Sequence, residues 1–238
     1  MTEPRHDQAR AAADDVVRTL REKRFTAYLA GGCVRDELLG LDPTDFDVAT
    51  DARPEQVQSL FPRTAAVGAA FGVILVRSRG VTTEVATFRS DADYTDRRRP
   101  DAVVFSGPEE DARRRDFTIN ALFLDPLEPD ADRAVIDFVG GRADLDAGVV
   151  RAVGDPEARL AEDHLRALRA VRFARRLGFS LDPATARAIT DHASELAGVS
   201  RERIGDEVRK MLSSPSRAGA AADLQRLGLD RPVLAEAN

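Results

Sequence analysis

The chain has little cysteine, little histidine and no long apolar run. Its 238 residues include one cysteine, Cys33, which excludes an internal disulfide and a cysteine metal cluster and is consistent with a reducing compartment. We expect Cys33 to be a small buried residue. No segment has the apolar length of a membrane span, and residues 1–15 are too charged for a signal peptide. The sequence therefore predicts a cytoplasmic protein without a membrane partner.

The three histidines, His6, His164 and His192, lie far apart in the sequence. None has a second metal ligand nearby in the chain. The sequence thus argues against a histidine metal site.

The overall composition is that of an ordinary globular chain, with 43% hydrophobic and 32% charged residues. Its length allows one large domain or two modest ones. The net charge is −6, yet the basic residues, nearly all arginine, cluster at 97–99, 113–115 and 166–176. Such clusters can form a positive groove for RNA within an acidic surface, although solvated surface is the alternative for most of them.

Hydrophobic periodicity predicts an α+β domain followed by an all-helical domain. The predicted elements are a helix at 7–23, strands at 27–30, 45–49, 72–77 and 82–88, a helix at 54–60, a loop at 90–105 that leads into a strand at 102–105, and two short strands around 125–134. From about residue 155 the pattern is helical, with breaks at Gly178, Gly198 and 213–216. We place the domain boundary between residues 152 and 153.

The most informative segment runs from Gly31 to Asp47. Glycines 31 and 32 follow a short strand, so Gly32 and its neighbour let backbone N–H groups approach an anion. Arg35, one turn later, can hold phosphate oxygens with its planar fork. On a strand, Asp45 and Asp47 would share one face, where two carboxylates can bind Mg²⁺ beside a triphosphate. This arrangement points to nucleotidyl transfer.

The chain resembles the class II tRNA nucleotidyltransferases, or CCA-adding enzymes, and the related bacterial poly(A) polymerases of the DNA polymerase beta superfamily. The resemblance runs from about Phe25 to Lys210. It is carried by GGCVRD (31–36), DFDVAT (45–50), VGAAFGVILV (67–76), EVATFR (84–89), RRRPDAVVF (97–105), RRDFTINAL (114–122), DFVGGRADL (137–145) and EDHLRALRAVRFARRLGF (162–179). It implies a nucleotidyltransferase head with a mixed sheet over 1–152 and a helical neck over 153–238.

Two more residues gain roles from this resemblance. Arg115 matches a position that contacts phosphate or ribose in the family. Glu84, in the strand pattern VTTEVATF, could supply the third carboxylate that polymerase-type palms use to deprotonate the primer hydroxyl or complete the metal shell. A surface or ion-pairing role for Glu84 is the alternative.

A second group of polar residues, Asp163, Arg166, Arg169 and Arg172, recurs every third residue along a predicted helix that begins near Pro156. The spacing gives a polar stripe, while Leu165, Leu168 and Val171 serve a neighbouring face. A solvated face with Asp–Arg pairs is the alternative.

Beside a nucleotide site, the Asp163 carboxylate would accept from an exocyclic amino group and Arg166 would donate to the adjacent ring acceptor. Cytosine and adenine present an amino group beside a ring acceptor. Uracil and guanine present a carbonyl beside a ring N–H, which would set acceptor against acceptor and donor against donor. In the resembled family these positions serve as a protein template, and Arg169 and Arg172 contact the nucleotide as well.

The sequence therefore predicts a template-independent enzyme that uses Mg²⁺ to add C and/or A from CTP and ATP to the 3′ end of tRNA. Full CCA addition and A-only addition stay open, and the rivals are a poly(A) polymerase and a silent RNA-binding remnant. The segment Phe71-Gly72-Val73 resembles the corresponding segment of CCA-adding enzymes more than that of poly(A) polymerases. Residues 90–105 resemble the flexible loop that CC-only enzymes lack. Full-length relatives continue into body and tail domains, which we expect this chain to lack. No protein partner is indicated.

Overall fold

The chain forms two compact units in a computed structural model that describes residues 5–68, 72–90 and 104–234. The first unit comprises Met1–Arg115 and Asn120–Gly141, and the second comprises Asp116–Ile119 and Arg142–Asn238. The predicted boundary at 152 falls inside the second unit, because the strand at Val149–Val150 pairs with a strand at Ser180–Leu181. The fold is α+β, as predicted.

The first unit is built from short helices and strands. They are α1 (Arg5–Glu22), β1 (Ala27–Ala30), α2 (Gly32–Leu38), β2 (Val48–Thr50), α3 (Pro54–Leu60), β3 (Thr64–Gly68), β4 (Val73–Ser78), β5 (Val81–Thr87), β6 (Arg89–Ser90), β7 (Val104–Phe105), α4 (Pro108–Arg113), β8 (Phe123–Leu124), α5 (Ala131–Ala134) and β9 (Val135–Ile136). The predicted elements at 7–23, 27–30, 54–60, 72–77 and 82–88 are confirmed to within two residues.

Seven of these strands form one mixed sheet in the order β3-β4-β5-β2-β1-β8-β9. The pair β2–β5 is parallel, with Val48 opposite Val85, whereas β1 pairs antiparallel with both β2 and β8. The strands β6 and β7 form a separate antiparallel pair. The predicted strand at 102–105 is confirmed for β7, and the rest of the predicted loop, 91–103, lies outside the described residues.

One face of the sheet is covered by α1. Its buried residues follow helical spacing, which places a continuous apolar stripe against β1, β4 and β5. They are Ala12, Ala13, Val16, Val17 and Leu20. The core also contains a group of aromatic rings, in which Phe88 and Phe123 meet edge to face with centroids 5.8 Å apart.

The predicted strand at 45–49 is wrong in its first half. The strand β2 begins at Val48, so Asp45 and Asp47 lie in the loop that leads into it. Aspartate disfavours strands, and Pro43 removes a backbone donor just upstream. The last residue of the loop is nevertheless fixed, because the N–H of Ala30 donates to the carbonyl of Asp47 at 2.9 Å.

The second unit is mainly helical. Its elements are a 3₁₀ turn (Thr118–Asn120), α6 (Gly141–Ala147), β10 (Val149–Val150), α7 (Pro156–Glu162), α8 (Leu165–Leu177), β11 (Ser180–Leu181), α9 (Pro183–Asp191), a 3₁₀ helix (Ala193–Gly198), α10 (Arg201–Leu212), α11 (Arg217–Arg226) and α12 (Asp230–Val233). The prediction of an all-helical domain missed β11. Gly178 ends α8 in the left-handed conformation (φ 71°), and the chain then extends beside β10. The predicted breaks at Gly198 and 213–216 are confirmed.

The predicted helix from Pro156 through Arg172 is two helices. Asp163 is extended (φ −153°, ψ 100°), and its carboxylate accepts from the N–H of Leu165 at 3.2 Å. A short polar side chain that satisfies the first donors of a helix favours a new start at this point. The apolar face of α8, which includes Leu168 and Val171, is buried against α10 and α11, as predicted. Within the described ranges, no helix combines the length and the apolarity needed to cross a bilayer.

Candidate active site

A cavity of about 100 Å³ lies in the first unit where β1, β2 and β5 run side by side. We call it the carboxylate cavity, because its polar lining consists of Asp47, Glu84 and Arg115. The first two come together through the parallel pairing of β2 and β5: each residue directly precedes a member of the Val48–Val85 pair. The strand pairing therefore sets Asp47 beside Glu84, two residues that are distant in sequence.

The carboxylate of Asp47 lies in a concentrated negative field. Burial by the surrounding atoms, together with charge repulsion from Glu84 and Asp45, raises its pKa to about 6, and Arg115 opposes this rise. The side chain still reaches solvent, since it lies at a concave surface rather than inside the core. Asp45 and Glu84 are also exposed. Carboxylates that lie close together and are accessible from solvent can bind a cation.

These donors fit a divalent metal ion. Oxygen ligands of this kind suit hard cations such as Mg²⁺. Burial and then repulsion from Glu84 raise the pKa of Asp47, and a bound cation would relieve that repulsion. Asp45 and Asp47 are the residues that would hold the ion, as the sequence predicts, and Glu84 is a third carboxylate whose role the sequence left open.

The turn after β1 faces Arg115. Gly31 has φ 78° and ψ −128°, a conformation that side chains other than glycine rarely adopt, and a Cβ atom there would lie 2.9 Å from Nη1 of Arg115. Gly32, which the sequence selected, is the first residue of α2. Sequence reasoning saw both glycines but did not distinguish the one whose backbone requires glycine.

Arg115 is held in place from three sides. Its guanidinium donates to Asp111 at 3.0 and 3.1 Å and to the carbonyl of Asn120 at 3.1 Å, and it lies 5.0 Å from the ring centroid of Phe123. The carboxylate of Asp111 is buried and also receives Arg114. Asp111 is therefore a positioning residue that the sequence analysis missed, although its place four residues before Arg115 in α4 was the available signal.

Arg35 lies deeper than the sequence suggested. It is 2% exposed, forms an ion pair with Asp36 at 2.7 Å and donates to the side-chain oxygen of Asn120. Asn120 thus links Arg35 and Arg115, through its side chain and its carbonyl respectively. Direct contact between Arg35 and a phosphate stays a prediction. The observed contacts of Arg35 with Asp36 and Asn120 stabilise the turn at Gly31 and Gly32.

Cys33 is buried, as expected. Its Sγ donates to the carbonyl of Ala30 at 3.4 Å, and burial raises the pKa of the thiol to about 11. A thiol that stays protonated at neutral pH is a poor nucleophile. Cys33 is therefore a packing residue beneath the turn.

In the second unit, Asp163 and Arg166 lie at the junction of α7 and α8. Asp163 accepts from Nη2 of Arg203 at 2.7 Å, and Arg166 donates to the carbonyl of Arg159 at 2.6 Å and to Glu162 at 2.5 Å. Asp163 is not helical, so the helical part of the predicted stripe begins at Arg166 instead of Asp163. Sequence reasoning did not identify Arg203, because this residue lies in α10, forty positions from Asp163.

Arg169 and Arg172 are bound to two carboxylates on other segments. Arg169 donates to Asp116 at 2.8 Å, whereas Arg172 donates to Glu207 at 2.5 Å and stacks on Phe173 with 4.2 Å between the guanidinium carbon and the ring centroid. Glu207 is 3% exposed. These pairs fix the arginines along α8, and Glu207 is a further anchoring residue that sequence reasoning missed.

The expectation that no histidine has a second potential ligand nearby is wrong. His164, His192 and Glu195 lie together in the second unit, and one potential ligand atom from each falls within 4.8 Å of the others. The chain turns back at the end of α9, so a histidine there meets the one that precedes α8. Sequence distance hid this contact.

Comparison with known proteins gives two family matches. Residues 27–151 match the family described as the poly A polymerase head domain. Residues 178–238 match a second family, described as a probable RNA and SrmB-binding site of polymerase A.

The relatives carry a more specific name. The CCA-adding enzyme of Bacillus subtilis (strain 168) is 48% identical over 83% of this chain and 49% of its own length. The crystal structure of the Bacillus stearothermophilus CCA-adding enzyme in complex with CTP superposes with a TM-score of 0.84 at 39% identity, covering 96% of this chain and 53% of that one. The Thermotoga maritima CCA-adding enzyme complexed with tRNA_CCA gives 0.75 at 25% identity, covering 92% and 50%.

The chain thus spans about half the length of the curated relatives it matches. The head-domain match covers more than half of the chain itself, and it includes the glycine turn, the carboxylate cavity and Arg115. The resemblance read from the sequence motifs is confirmed: the chain belongs to the poly A polymerase head-domain family.

Proposed function

We propose that the chain is a template-independent nucleotidyltransferase that adds C and/or A to the 3′ end of tRNA from CTP and ATP. The observation that carries this proposal is the carboxylate cavity, where Asp47, Glu84 and Arg115 converge. Carboxylates for cations and a guanidinium for phosphate, in one recess, are the parts that nucleotidyl transfer needs.

Asp45 and Asp47 are the proposed ligands of divalent cations, which we take to be Mg²⁺. When bound, the cations would activate the primer hydroxyl and stabilise the pyrophosphate leaving group. Glu84, whose charge already acts on Asp47, is placed to complete the ligand set or to accept the proton of the hydroxyl. In either role its carboxylate must be ionised.

The triphosphate is assigned to the glycine turn and its arginines. Gly32 offers a backbone N–H, and Arg115, oriented by Asp111 and Asn120, presents its guanidinium at the cavity. Arg35 contributes positive charge from behind the turn, and it is proposed as a phosphate contact on the strength of the family resemblance. A guanidinium held by several partners needs little reorganisation when charge develops on the leaving group.

Base choice is assigned to the second unit. The carboxylate of Asp163 would accept from the amino group of cytosine or adenine, and Arg166 would donate to the neighbouring ring acceptor. Arg169 and Arg172 are proposed to contact the nucleotide from the same helix. The anchored geometry of these arginines supports the proposal, because a selective edge must be rigid.

The substrates follow from the relatives. The similar solved proteins include one in complex with CTP, one with ATP and one with tRNA. We infer the same ligands for this chain, and a cytoplasmic location with them.

A poly(A) polymerase is the second candidate. The match of residues 178–238 to a polymerase A RNA-binding region favours it. Such an enzyme would extend a generic RNA primer by many adenosines, whereas the first candidate stops after the CCA end is complete.

Primer extension tests both proposals. Transcripts of one tRNA that end before the CCA, after C and after CC are incubated with Mg²⁺ and with CTP, ATP or both, next to a generic RNA oligomer. Completion of CCA on the shortest transcript would establish full activity, and addition of one A to the CC-ended transcript alone would establish A-only activity. Long adenosine tracts on the oligomer would make the chain a poly(A) polymerase. No pyrophosphate release from any primer would refute all three and leave an RNA-binding remnant.

Two variants and one control test the proposed roles of the residues. Asp47→Ala should abolish extension while the thermal unfolding curve stays that of a folded protein. Glu55→Ala removes an exposed carboxylate of α3, outside the cavity, and should leave turnover unchanged. Asp163→Ala should weaken the rejection of UTP and GTP more than it lowers phosphate binding.

A further inference from the structure

The histidine cluster joins three separate segments of the second unit. His164 directly precedes α8, His192 directly follows α9, and Glu195 lies in the 3₁₀ helix Ala193–Gly198. An Oε2 atom of Glu195 lies 3.0 Å from Nε2 of His164 and 3.2 Å from Nδ1 of His192. The two imidazole rings are 5.8 Å apart between centroids. Two ring nitrogens and a carboxylate oxygen thus converge on one point.

These separations suit a tetrahedral metal ion. Bonds of about 2.0–2.2 Å to nitrogen and oxygen place neighbouring ligand atoms a little over 3 Å apart. The observed distances of 3.0 and 3.2 Å agree with that spacing. Two imidazoles and one carboxylate are also a known zinc ligand set, one that leaves the fourth position to water.

A second observation concerns the far side of the His192 ring. Its Nε2 lies 2.8 Å from Oε2 of Glu157, in the first turn of α7. Metal-binding histidines usually donate their other ring N–H to a carboxylate, which fixes the tautomer and the ring orientation. With Glu157 on Nε2, the nitrogen that faces Glu195 is the one left to bind a metal.

The electrostatics favour a cation here. The carboxylates of Glu195 and Glu157 lie 3.2 and 2.8 Å from the two ring nitrogens of His192 and bring negative charge to the cluster. The same negative field would act on a metal ion. All four side chains are partly exposed, with exposures of 21% for His192, 22% for His164, 49% for Glu195 and 53% for Glu157, whereas Nδ1 of His192 is buried and lies behind the carboxylate of Glu195.

We propose that His164, His192 and Glu195 form a binding site for a zinc-like divalent transition metal ion, with Glu157 as the residue that orients His192. This site belongs to the second unit and differs in chemistry from the carboxylate cavity, since imidazole nitrogen prefers Zn²⁺, Co²⁺ or Ni²⁺ over Mg²⁺. Bound metal would fasten the start of α8 to the end of α9.

Zinc titration of the untagged protein in excess Mg²⁺ tests the proposal. The chain has only three histidines, so the imidazole signals in a two-dimensional NMR spectrum report each ring separately. One equivalent of Zn²⁺ should shift the signals of His164 and His192 and leave those of His6, which lies in the first unit, unchanged. Calorimetry under the same conditions should give a stoichiometry near one.

Variants identify the ligands. His192→Gln and Glu195→Gln should abolish the shift of the His164 signal, and Glu157→Gln should weaken binding by about 10- to 100-fold. His6→Gln and Glu202→Gln, which change a histidine and a carboxylate outside the cluster, should bind zinc like the parent chain. Circular dichroism confirms that each variant is folded, and His164→Asn replaces His192→Gln if that variant is not.

Three results would overturn the site. They are unchanged histidine signals at one equivalent of Zn²⁺, equal shifts of all three histidines, and undiminished binding by the folded His192→Gln or His164→Asn variant. Because none of these measurements depends on nucleotide transfer, the site and the proposed function stand or fall separately.

Discussion

Arg203 donates to the carboxylate of Asp163 at 2.7 Å, although the two residues are forty positions apart in sequence. The second oxygen of the same carboxylate accepts from the N–H of Leu165. Both oxygens of the proposed base-reading residue are therefore oriented before any nucleotide arrives, and each can still accept a further hydrogen bond.

Arg203→Ala should loosen base choice without loosening the fold. The pair is exposed, so its loss should cost at most about 1 kcal/mol of stability. The ratio of kcat/KM for CTP to that for UTP should fall by about tenfold, the effect of roughly 1.4 kcal/mol in discrimination. Steady-state kinetics with both nucleotides measures it.

Arg209→Ala is the matched control, since Arg209 is an exposed arginine of the same helix that pairs with Asp206. It should leave the ratio unchanged. An unchanged ratio in Arg203→Ala would show that Asp163 needs no help from α10.

Asp47→Asn should change how stability depends on pH in metal-free protein. The folded-state pKa of about 6 lies above the value of 3.8 for an ordinary aspartate, so the native state holds this proton more tightly than the unfolded state. The contribution is fully present below pH 4 and is lost as the pH rises through 6. Asparagine, which stays neutral, should remove that loss.

Urea unfolding of both proteins in EDTA at pH 4, 5, 6 and 7 tests this. The free energy of unfolding of the variant should increase relative to that of the parent chain as the pH rises, and most of this increase should appear between pH 4 and 6. Added Mg²⁺ should then stabilise the parent chain more than the variant at pH 7. A constant difference across the pH range would refute the raised pKa.

Gly31→Ala should reduce both stability and turnover. Its backbone conformation costs a non-glycine residue about 1–3 kcal/mol, and the new methyl group would push the guanidinium of Arg115 away from the carbonyl of Asn120. Unfolding free energy and primer extension measure the two effects.

Gly80→Ala is the control that separates the effect on stability from the effect on turnover. Gly80 has φ 80° in the β4–β5 turn, but nothing lies within 4 Å of an added Cβ. It should lose stability and keep its turnover per folded molecule. Equal turnover in Gly31→Ala would show that Arg115 adapts without consequence.

Glu207→Ala should be strongly destabilising. Its carboxylate is buried and receives Arg172 at 2.5 Å and Lys210 at 3.3 Å, so its removal leaves a poorly compensated arginine at a cost of about 3–5 kcal/mol. The adjacent Asp206 is exposed, and Asp206→Ala should change stability by no more than about 0.5 kcal/mol. Thermal unfolding of the two variants gives the comparison, and similar melting temperatures would refute the anchoring role of Glu207.

The sequence predicted what depends on local pattern. The apolar stripe of α1, the strand at Ala27–Ala30 and the helix behind Pro54 follow from periodicity and from proline at a helix start, and the structure confirms all three. Asp45 and Asp47 were singled out because their motif is short and distinctive, and Glu84 was added from the family resemblance; the structure places Asp47 and Glu84 in one cavity, and the roles of all three stay predictions.

What the sequence missed depends on contacts between distant segments. Asn120, Arg203 and Glu207 each contact a partner that only the fold brings near, whereas Asp111 lies four residues before its partner Arg115. The histidine cluster was missed for the same reason: His192 and Glu195 are three residues apart in the sequence, but His164 comes from a distant segment. The break at Asp163 arises because its side chain hydrogen-bonds to a nearby backbone N–H in place of the helical pattern. Hydrophobic periodicity does not detect such a local hydrogen bond.

The strand order has a consequence for synthesis on the ribosome. Strand β1 lies in the middle of the finished sheet, but its partner β8 comes from a part of the chain made much later, after the short excursion of Asp116–Ile119 into the second unit. Until β8 emerges, the nascent chain carries β1 with one open edge, and such edges attract other strands. We therefore expect the first unit to close late, and chaperones that shield nascent chains should matter most during the interval between the two strands.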